Sequence, residues 1–195
     1  MKHKKRASLV GPPKLWQNKR DCQIKFLLEH GLKQDHYLLD LGCGVLRGGI
    51  PLINYLEESH YYGIEKDPIR LEEGLKELEE SNLTHKAPNL STDYKNIDVK
   101  FDYIWSFQVL IHLSDKIFEE VLFNIRNLLK DKGVCYATVA INKNTVNTSW
   151  REYPYVQRPL SFYEKKADKH NLSVNTVNYQ SNNWKNMLEI RKKNF

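Results

Sequence analysis

One stretch decides the fold of this 195-residue chain: Leu38-Leu39-Asp40-Leu41-Gly42-Cys43-Gly44-Val45-Leu46-Arg47-Gly48-Gly49. It begins with a run that is apolar on both faces, which is typical of a buried strand in a parallel sheet. The run then breaks into glycines, which allow a tight turn and let a ligand approach the main chain closely. Ligands of open parallel sheets bind where the strands end. The stretch therefore predicts a strand, a ligand-binding turn and a helix in succession.

The spacing of the glycines excludes two common nucleotide-binding loops. The dinucleotide fingerprint Gly-x-Gly-x-x-Gly requires glycine at position 47, where the chain has Arg47. A phosphate-binding loop requires Gly-Lys-Ser/Thr, which does not follow here. What remains is an acid, Asp40, just before the first glycine, and a carboxylate there attracts a cationic ligand. S-adenosylmethionine fits because it carries both an ammonium and a sulfonium group.

A second acid, Glu65, closes the next predicted strand, Tyr61-Tyr62-Gly63-Ile64-Glu65. A carboxylate at this place can accept hydrogen bonds from both hydroxyls of a ribose. Acids are common at the ends of strands, so Glu65 alone is weak evidence for a binding site. Its position in register with the glycine turn strengthens that evidence. Together the two acids predict a site for a positively charged nucleoside.

Strands and helices alternate along most of the chain. Strands are predicted near residues 37–41, 61–65, 86–92, 101–107, 134–140, 173–179 and 186–192, and helices over 14–31, 49–58, 68–81, 115–130 and 160–170. The alternation predicts a mostly parallel sheet covered on both faces. No helix separates the last two strands, which predicts an antiparallel hairpin at one edge, with Trp184 in its loop. Residues 142–159 are predicted to form a long functional loop.

The motifs, in their order, resemble those of class I S-adenosylmethionine-dependent methyltransferases. They are Asp-Leu-Gly-Cys-Gly at 40–44, Tyr-Tyr-Gly-Ile-Glu at 61–65, Phe-Asp-Tyr-Ile-Trp-Ser-Phe-Gln-Val-Leu-Ile-His-Leu at 101–113 and Leu-Leu-Lys-Asp-Lys-Gly-Val at 128–134. The resemblance covers about residues 35–140. It implies an α/β, Rossmann-like fold with a seven-stranded, mostly parallel sheet, helices on both faces and an antiparallel edge hairpin. Residues 44–49 also resemble a bacterial subgroup that modifies sugars and surface polysaccharides.

The resemblance implies S-adenosyl-L-methionine as the cofactor and a set of residues that bind it: Asp40, Gly42, Cys43, Gly44, Glu65, Lys66, Asp93, Tyr94, Ser106, Phe107 and Gln108. Of these, the two acids and the glycines would hold the amino-acid and ribose parts. Asp93 and Tyr94 would lie near the adenine, and residues 106–108 would line the methionine side. The first helix is a candidate lid over the cofactor, with Lys14 and Trp16 as its key residues, although Trp16 is equally suited to core packing.

His112 is the candidate catalytic base, because an imidazole can take a proton from an acceptor hydroxyl. The alternative for His112 is a structural role. A predicted substrate-binding group consists of Arg47, Tyr153 and Arg158, with Arg151 and Tyr155 beside them. Arginine suits a carboxylate or phosphate, but these residues can equally pack or solvate a long loop.

The net charge of the chain is +6, and its basic residues cluster at the two ends. The clusters indicate nucleic acid or acidic small molecules as partners, or simply solvated tails. They contain no interleaved aromatic residues on which bases would stack, so nucleic acid is disfavoured but left open. No apolar stretch is long enough for a membrane span, and the amino terminus has no secretory pattern, which favours the cytoplasm. Three widely spaced cysteines predict neither disulfides nor a metal site.

We therefore expect a single methyltransferase domain over 1–195, made of a basic tail (1–13), a helix (14–31) and a core (35–195). It would methylate a small polar acceptor, with O-methylation of a sugar or anionic metabolite in surface polysaccharide tailoring preferred. The alternatives are an RNA or protein methyltransferase and a non-catalytic S-adenosylmethionine-binding regulatory subunit. Ser106-Phe107-Gln108-Val109 replaces the Asn/Asp-Pro-Pro-Tyr/Phe motif of many amino-directed enzymes, which leaves ribose methylation open. A homodimer is also left open.

Overall fold

The computed structural model describes residues 6–150, 153–178 and 186–193, without the side chains of 147–150 and 153. The chain divides into two compact units, Met1–Asp98 and Val99–Phe195. Its main sheet has seven strands, mostly parallel, with helices between them. The predicted α/β, Rossmann-like fold is thereby confirmed, and the single-domain boundaries stay a prediction.

The first unit is a parallel sheet with three helices. Its strands are β1 (Leu38–Leu41), β2 (Tyr61–Ile64) and β3 (Asn89–Ser91), in the order β3-β2-β1. Its helices are α1 (Trp16–Glu29), α2 (Gly49–Tyr55) and α3 (Pro68–Glu80). A 3-10 turn, Pro13–Leu15, precedes α1. All four residues of β1 are buried, as expected for a central parallel strand.

Local sequence explains where α3 begins. The side chain of Asp67 accepts a hydrogen bond from the backbone N–H of Ile69 at 2.9 Å, which caps the helix. Pro68 follows in the first turn, where its missing N–H costs nothing. The cap thereby sets where α3 begins, only a few residues after the end of β2 and directly after Glu65.

The amino-terminal segment departs from the solvated basic tail that the sequence predicts. Ala7 packs in the core with Trp16 and Val45. Arg6 is only 2% exposed, and its guanidinium pairs with three glutamates, Glu73, Glu77 and Glu80. The spacing of those glutamates places them on one face of α3. The tail prediction is therefore wrong from Arg6 onward, because a non-local ion-pair network holds the segment down.

The second unit contains the antiparallel edge. Its strands are β4 (Phe101–Ser106), β5 (Leu129–Val139), β8 (Leu172–Val177) and β9 (Asn186–Lys192), in the order β4-β5-β9-β8. Its helices are α4 (Asp115–Leu128) and α5 (Leu160–Asp168). β4 and β5 are parallel, whereas β9 is antiparallel to both β5 and β8. The predicted edge hairpin is confirmed, and its loop with Trp184 lies outside the described residues.

Within residues 142–159, where the sequence predicts a loop, the structure describes two paired strands. Strands β6 (Val146–Trp150) and β7 (Tyr153–Gln157) pair antiparallel as a separate two-stranded sheet. The abundance of Asn and Thr, together with Pro154, conceals the strand pattern in the sequence. Arg151 lies outside the described residues. Among the helices that the structure describes, none is both long and apolar enough to cross a bilayer.

Replacement of Arg6 tests the anchoring of the amino-terminal segment. We expect Arg6→Gln to lower the free energy of unfolding by about 2–3 kcal/mol, because it leaves the buried carboxylate of Glu77 without its partner. Urea denaturation followed by circular dichroism measures the change. Arg20→Gln, at a half-exposed position of α1, is the matched control. Equal unfolding energies for Arg6→Gln and wild type would contradict the anchoring.

Candidate functional site

The ends of β1, β2 and β3 bring the predicted acidic residues to one edge of the sheet. Asp40 pairs with Gly63 across β1 and β2, and Ile64 pairs with Ser91 across β2 and β3. Since the strands are parallel and in register, the residues that follow them leave the sheet on the same side. Glu65 follows β2 directly, and its backbone N–H donates to the carbonyl of Ser91 at 3.0 Å. The edge is therefore an ordered frame for polar side chains.

The glycine turn after β1 is held by backbone hydrogen bonds. The N–H groups of Gly42 and Cys43 both donate to the carbonyl of Ile64, at 2.7 and 3.1 Å. Gly44 has a φ of 58°, and a Cβ placed on it would lie 3.0 Å from Val10 Cγ1. This conformation and this close approach favour glycine. The turn thus places main chain, without bulky side chains, at the end of the strand.

Glu65 is held by the main chain on both sides. Its Oε2 accepts a hydrogen bond from the N–H of Gly44, and its Oε1 accepts one from the N–H of Asp67, each at 3.0 Å. The side chain is buried. A carboxylate oxygen has two lone pairs, so each oxygen can accept a further bond from a ligand. The geometry suits a pair of adjacent hydroxyls, and in this respect the residues present fit a ribose.

Asp40 is a buried acid with a perturbed pKa. Its Oδ2 accepts a hydrogen bond from the Tyr61 hydroxyl at 2.7 Å. Burial raises the pKa of Asp40 to about 7, with a further contribution from the charge of Glu65, while the Tyr61 hydrogen bond and Arg47 oppose the rise. A carboxylate in such surroundings gains most from a neighbouring cation. Asp40 therefore fits the cationic part of S-adenosylmethionine.

Arg47 is buried beneath the amino-terminal segment. It is 8% exposed, its Nη1 donates to the carbonyl of Val10 at 3.0 Å, and its guanidinium lies 6.0 Å from the centre of the Trp16 ring. Burial lowers the pKa of Arg47 to about 10. Trp16 packs in the core, as its alternative role required, and Lys14 is exposed. The predicted substrate-binding role of Arg47 stays a prediction.

The other predicted cofactor residues of the first unit differ in their surroundings. Cys43 is buried, and burial raises the pKa of its thiol well above the ordinary value, which makes the thiol unreactive. Lys66 is exposed. Asp93 follows β3, is half-buried, and accepts a hydrogen bond from the N–H of Lys95 at 2.8 Å. Tyr94 beside it is also half-buried.

In the second unit, the predicted residues lie at the end of β4. Ser106 is fully buried, and the ring of Phe107 stacks on that of Trp105 with centroids 5.7 Å apart. Gln108 has a φ of 63°, and its N–H donates to Thr138 Oγ1. This left-handed residue turns the chain sharply at the strand end. The predicted cofactor contacts of residues 106–108 stay predictions.

His112 closes a 3-10 turn, Leu110–His112, that packs near β7. Its Nδ1 lies 2.8 Å from the carbonyl oxygen of Pro154. A carbonyl only accepts, so Nδ1 carries the proton in this contact and Nε2 is the basic nitrogen of the neutral ring. The contact therefore fixes a tautomer that suits a general base, the role predicted for His112.

Arg158 joins the end of β7 to the start of α4. It is 1% exposed, and its guanidinium donates to Asp115 Oδ1 at 2.7 and 3.0 Å and to the carbonyl of Leu113 at 2.6 Å. It also lies 4.8 Å from the ring centre of Phe162. Through these contacts, the buried Arg158 side chain holds the end of β7 against the start of α4. Substrate binding by Arg158 stays a prediction, and the side chain of Tyr153 lies outside the described part of the structure.

Several residues near the glycine turn escaped the sequence-based reasoning. Tyr61 binds Asp40, Val10 packs on Gly44, and Lys19 is buried. Nothing in the sequence marks these contacts, because they join distant segments. The glutamates that bind Arg6 share one face of α3, but their spacing does not identify the cation that they bind. Within the described ranges, no group of three or more His, Cys, Asp or Glu residues could hold a metal ion.

Comparison with known proteins decides the family. Residues 39–135 match the family model described as a methyltransferase domain. The chain carries a class I, S-adenosylmethionine-dependent methyltransferase domain. The predicted family, enzyme class and cofactor are thereby confirmed. The resemblance to a sugar-modifying subgroup stays a prediction.

Solved structures share the fold of this methyltransferase. Magnesium protoporphyrin IX methyltransferase from Synechocystis PCC 6803 with bound S-adenosylmethionine is 18% identical, with a TM-score of 0.70 over 93% of this chain and 81% of that one. An S-adenosylmethionine-dependent methyltransferase from Clostridium acetobutylicum ATCC 824 is 16% identical, with a TM-score of 0.68 over 92% of each chain. The glycopeptide N-methyltransferase MtfA with S-adenosylmethionine is 11% identical, with a TM-score of 0.68 over 87% of this chain and 92% of that one.

The raised pKa of Asp40 predicts a stability cost that a substitution can remove. The folded state holds the proton of Asp40 up to about pH 7, whereas the unfolded chain releases it near its ordinary value. Stability is therefore lost as the pH rises from about 4 to about 7 and stays low above that. We expect Asp40→Asn, which keeps an acceptor for Tyr61, to be more stable than wild type by up to about 4 kcal/mol at pH 8. The difference should vanish near pH 4.

Thermal unfolding between pH 4 and 8 measures this difference. The exposed Asp35→Asn is the control, because it removes a carboxylate without removing a buried charge. The same variant should bind the cofactor less well, since a neutral amide does not attract a cation. The stability difference between Asp40→Asn and wild type should be larger at pH 8 than at pH 4. Equal differences at the two pH values would show that the pKa of Asp40 is not raised.

The tautomer of His112 can be observed directly. We expect long-range proton–nitrogen correlation spectra to show Nδ1 protonated and Nε2 unprotonated in the neutral ring, because Pro154 accepts from Nδ1. His112→Gln identifies the resonance by removing it. A spectrum in which Nε2 carries the proton would remove the support for His112 as a base.

Proposed function

We propose that this methyltransferase acts on a small polar acceptor, with O-methylation of a sugar or anionic metabolite in surface polysaccharide tailoring as the preferred reaction. The observation that carries the proposal is the contact between His112 Nδ1 and the Pro154 carbonyl, which leaves Nε2 as a base. A base is useful for a hydroxyl acceptor, whose proton must leave as the methyl group arrives. Two structural neighbours are named as methyltransferases of magnesium protoporphyrin IX and of a glycopeptide.

The cofactor would be held mainly by the first unit. Asp40 would face its cationic groups, Gly42 and Gly44 would let it approach the main chain, and Glu65 would accept from the ribose hydroxyls. Asp93 and Tyr94 would lie beside the adenine. The support is the register of the three strand ends and the remaining acceptor capacity of Glu65.

The chemistry divides between the cofactor and the protein. When bound, S-adenosylmethionine supplies a methyl group activated by its sulfonium for in-line displacement. The protein orients the acceptor, which by itself can supply much of the rate. In the proposal, His112 Nε2 takes the hydroxyl proton while Nδ1 stays bound to Pro154. The cytoplasmic location and the homodimer stay predictions.

Calorimetry tests the cofactor site. We expect wild type to bind S-adenosylmethionine and S-adenosylhomocysteine with dissociation constants of about 1–100 µM, the usual range of metabolite sites. Glu65→Gln should weaken both by about tenfold or more, because the amide replaces one of the two acceptors with a donor. The exposed Glu58→Gln is the control. Unchanged heats for Glu65→Gln would exclude Glu65 from the site.

Transfer of a labelled methyl group to a panel of sugars, nucleotides, phosphorylated metabolites and RNA tests the acceptor class. We expect wild type to methylate a hydroxyl of one of the sugars or phosphorylated metabolites. We expect the His112→Gln variant to lose this activity. Methylation of RNA, with binding that falls steeply with salt, would support the nucleic-acid alternative instead. Cofactor binding without transfer to any acceptor would favour the regulatory subunit.

A further inference from the structure

Strand β7 meets the chain around His112 at two points, both within the second unit. At the first, the carbonyl oxygen of Pro154 in β7 lies 2.8 Å from His112 Nδ1. At the second, Arg158, the residue that follows β7, donates from Nη2 to the carbonyl of Leu113 at 2.6 Å. Leu113 directly follows His112 in the sequence. The two hydrogen bonds therefore tie β7 both to the His112 ring and to the main chain beside that ring.

The side chain of Arg158 is itself held by groups on α4 and α5. Its Nε and Nη2 both donate to Asp115 Oδ1, at 3.0 and 2.7 Å. Its Cζ lies 4.8 Å from the ring centre of Phe162 and 5.8 Å from that of Phe118. A planar guanidinium that is buried, bonded at two nitrogens and packed on aromatic rings has little freedom to turn. The side chain is therefore suited to fix the position of the chain that carries it.

The main chain of Arg158 is fixed as well. Its N–H donates to the carbonyl of Ala140, and its carbonyl accepts from the N–H of Asn142, each at 3.1 Å. These bonds form an isolated parallel bridge between Arg158 and Ile141, just beyond the end of β5. One residue thus connects the chain after β5, the end of β7 and the turn that carries His112.

We propose that Arg158 is a positioning residue that sets the tautomer of the His112 ring through β7. The inference rests on the proposed function, in which His112 Nε2 is the base, and it gives Arg158 a role other than the predicted contact with substrate. Pro154 precedes Arg158 by four residues in the same strand, so a displacement of β7 at Arg158 also moves the Pro154 carbonyl. When that acceptor moves away, the neutral ring can carry its proton on either nitrogen.

The tautomer matters because only the unprotonated nitrogen of a neutral imidazole can accept a proton. With the Nδ1 proton bound to Pro154, Nε2 takes the hydroxyl proton of the acceptor as its oxygen forms the bond to the methyl carbon. The ring is then an imidazolium, and it releases the Nε2 proton to water after the product has left. Throughout these steps the Pro154 carbonyl accepts from Nδ1, and it does so more strongly while the ring is charged.

Long-range proton–nitrogen spectra of His112 test the proposal without any acceptor substrate. We expect Arg158→Met to change the ratio of the two tautomers about 3- to 10-fold toward the form protonated at Nε2, the effect of losing one hydrogen bond. Arg158→Lys keeps the charge but lacks the planar fork that spans Asp115 and Leu113, so it should give a smaller change in the same direction. The side chain of Asp115 is 62% exposed, so water can solvate its carboxylate when Arg158 is replaced.

The matched control is Lys166→Gln. Lys166 on α5 pairs with Glu119 on α4 and lies 5.5 Å from the ring centre of the same Phe162, but it makes no contact with the turn of His112 that is comparable to the Arg158 bond. Its replacement should leave the tautomer ratio unchanged. A wild-type ratio in folded Arg158→Met would overturn the proposal, and Arg158→Lys decides in the same way if Arg158→Met does not fold.

Kinetics with an accepted substrate separate positioning from direct binding. We expect Arg158→Met to lower kcat about 10- to 100-fold, because a displaced base transfers protons poorly. The KM of the acceptor and the Kd of S-adenosylmethionine should stay within about twofold of wild type. A raised KM with an unchanged kcat would show that Arg158 binds the substrate and would overturn the proposal. Failure of the proposed function is recognised separately, since His112→Gln would then methylate as fast as wild type, whatever tautomer the Arg158 variants show.

Discussion

The structure around the glycine turn depends on keeping charged groups out of water. Asp40 is buried against the Tyr61 hydroxyl, and Arg47 is buried beneath Val10. Such burial costs free energy, and a fold selected for stability alone would place these groups on the surface. Here Asp40 lies in the strand that leads into the glycine turn and Arg47 follows that turn, at the edge where open parallel sheets bind their ligands. In the proposed cofactor site, the bound ligand would bring the opposite charges and offset this cost.

The frame that holds these charges is made of main chain. The carbonyl of Ile64 accepts from two N–H groups of the glycine turn, and Glu65 accepts from the N–H groups of Gly44 and Asp67. Because backbone donors do not change rotamer, Glu65 stays in place without a ligand. Such preorganisation lowers the entropic cost of binding. In the second unit, the Pro154 carbonyl does the same for the His112 ring.

The features that can be predicted from the sequence alone are those that a local pattern of residues determines. The alternation of apolar strands with helices and the break at Gly42 identify the fold, since periodicity and turn chemistry act over a few residues. The acids at 40 and 65 follow because parallel register is fixed by the same pattern. The paired strands β6 and β7 are not predicted, because the polar composition of this part of the chain is typical of a loop. The burial of Arg6 and Lys19 was missed because it depends on partners far along the chain, which no local pattern records.

The anchoring of Arg6 has a consequence for how the protein matures on the ribosome. Arg6 and Glu77 are separated by 71 positions, so Arg6 acquires its partner only after α3 has been synthesised. Contacts of such long range form late, because the intervening chain must first be closed into a loop. Until then, the ion pairs that hold the amino-terminal segment against α3 are absent. In the nascent chain, the glycine turn therefore forms before the segment that carries Val10 is anchored to α3.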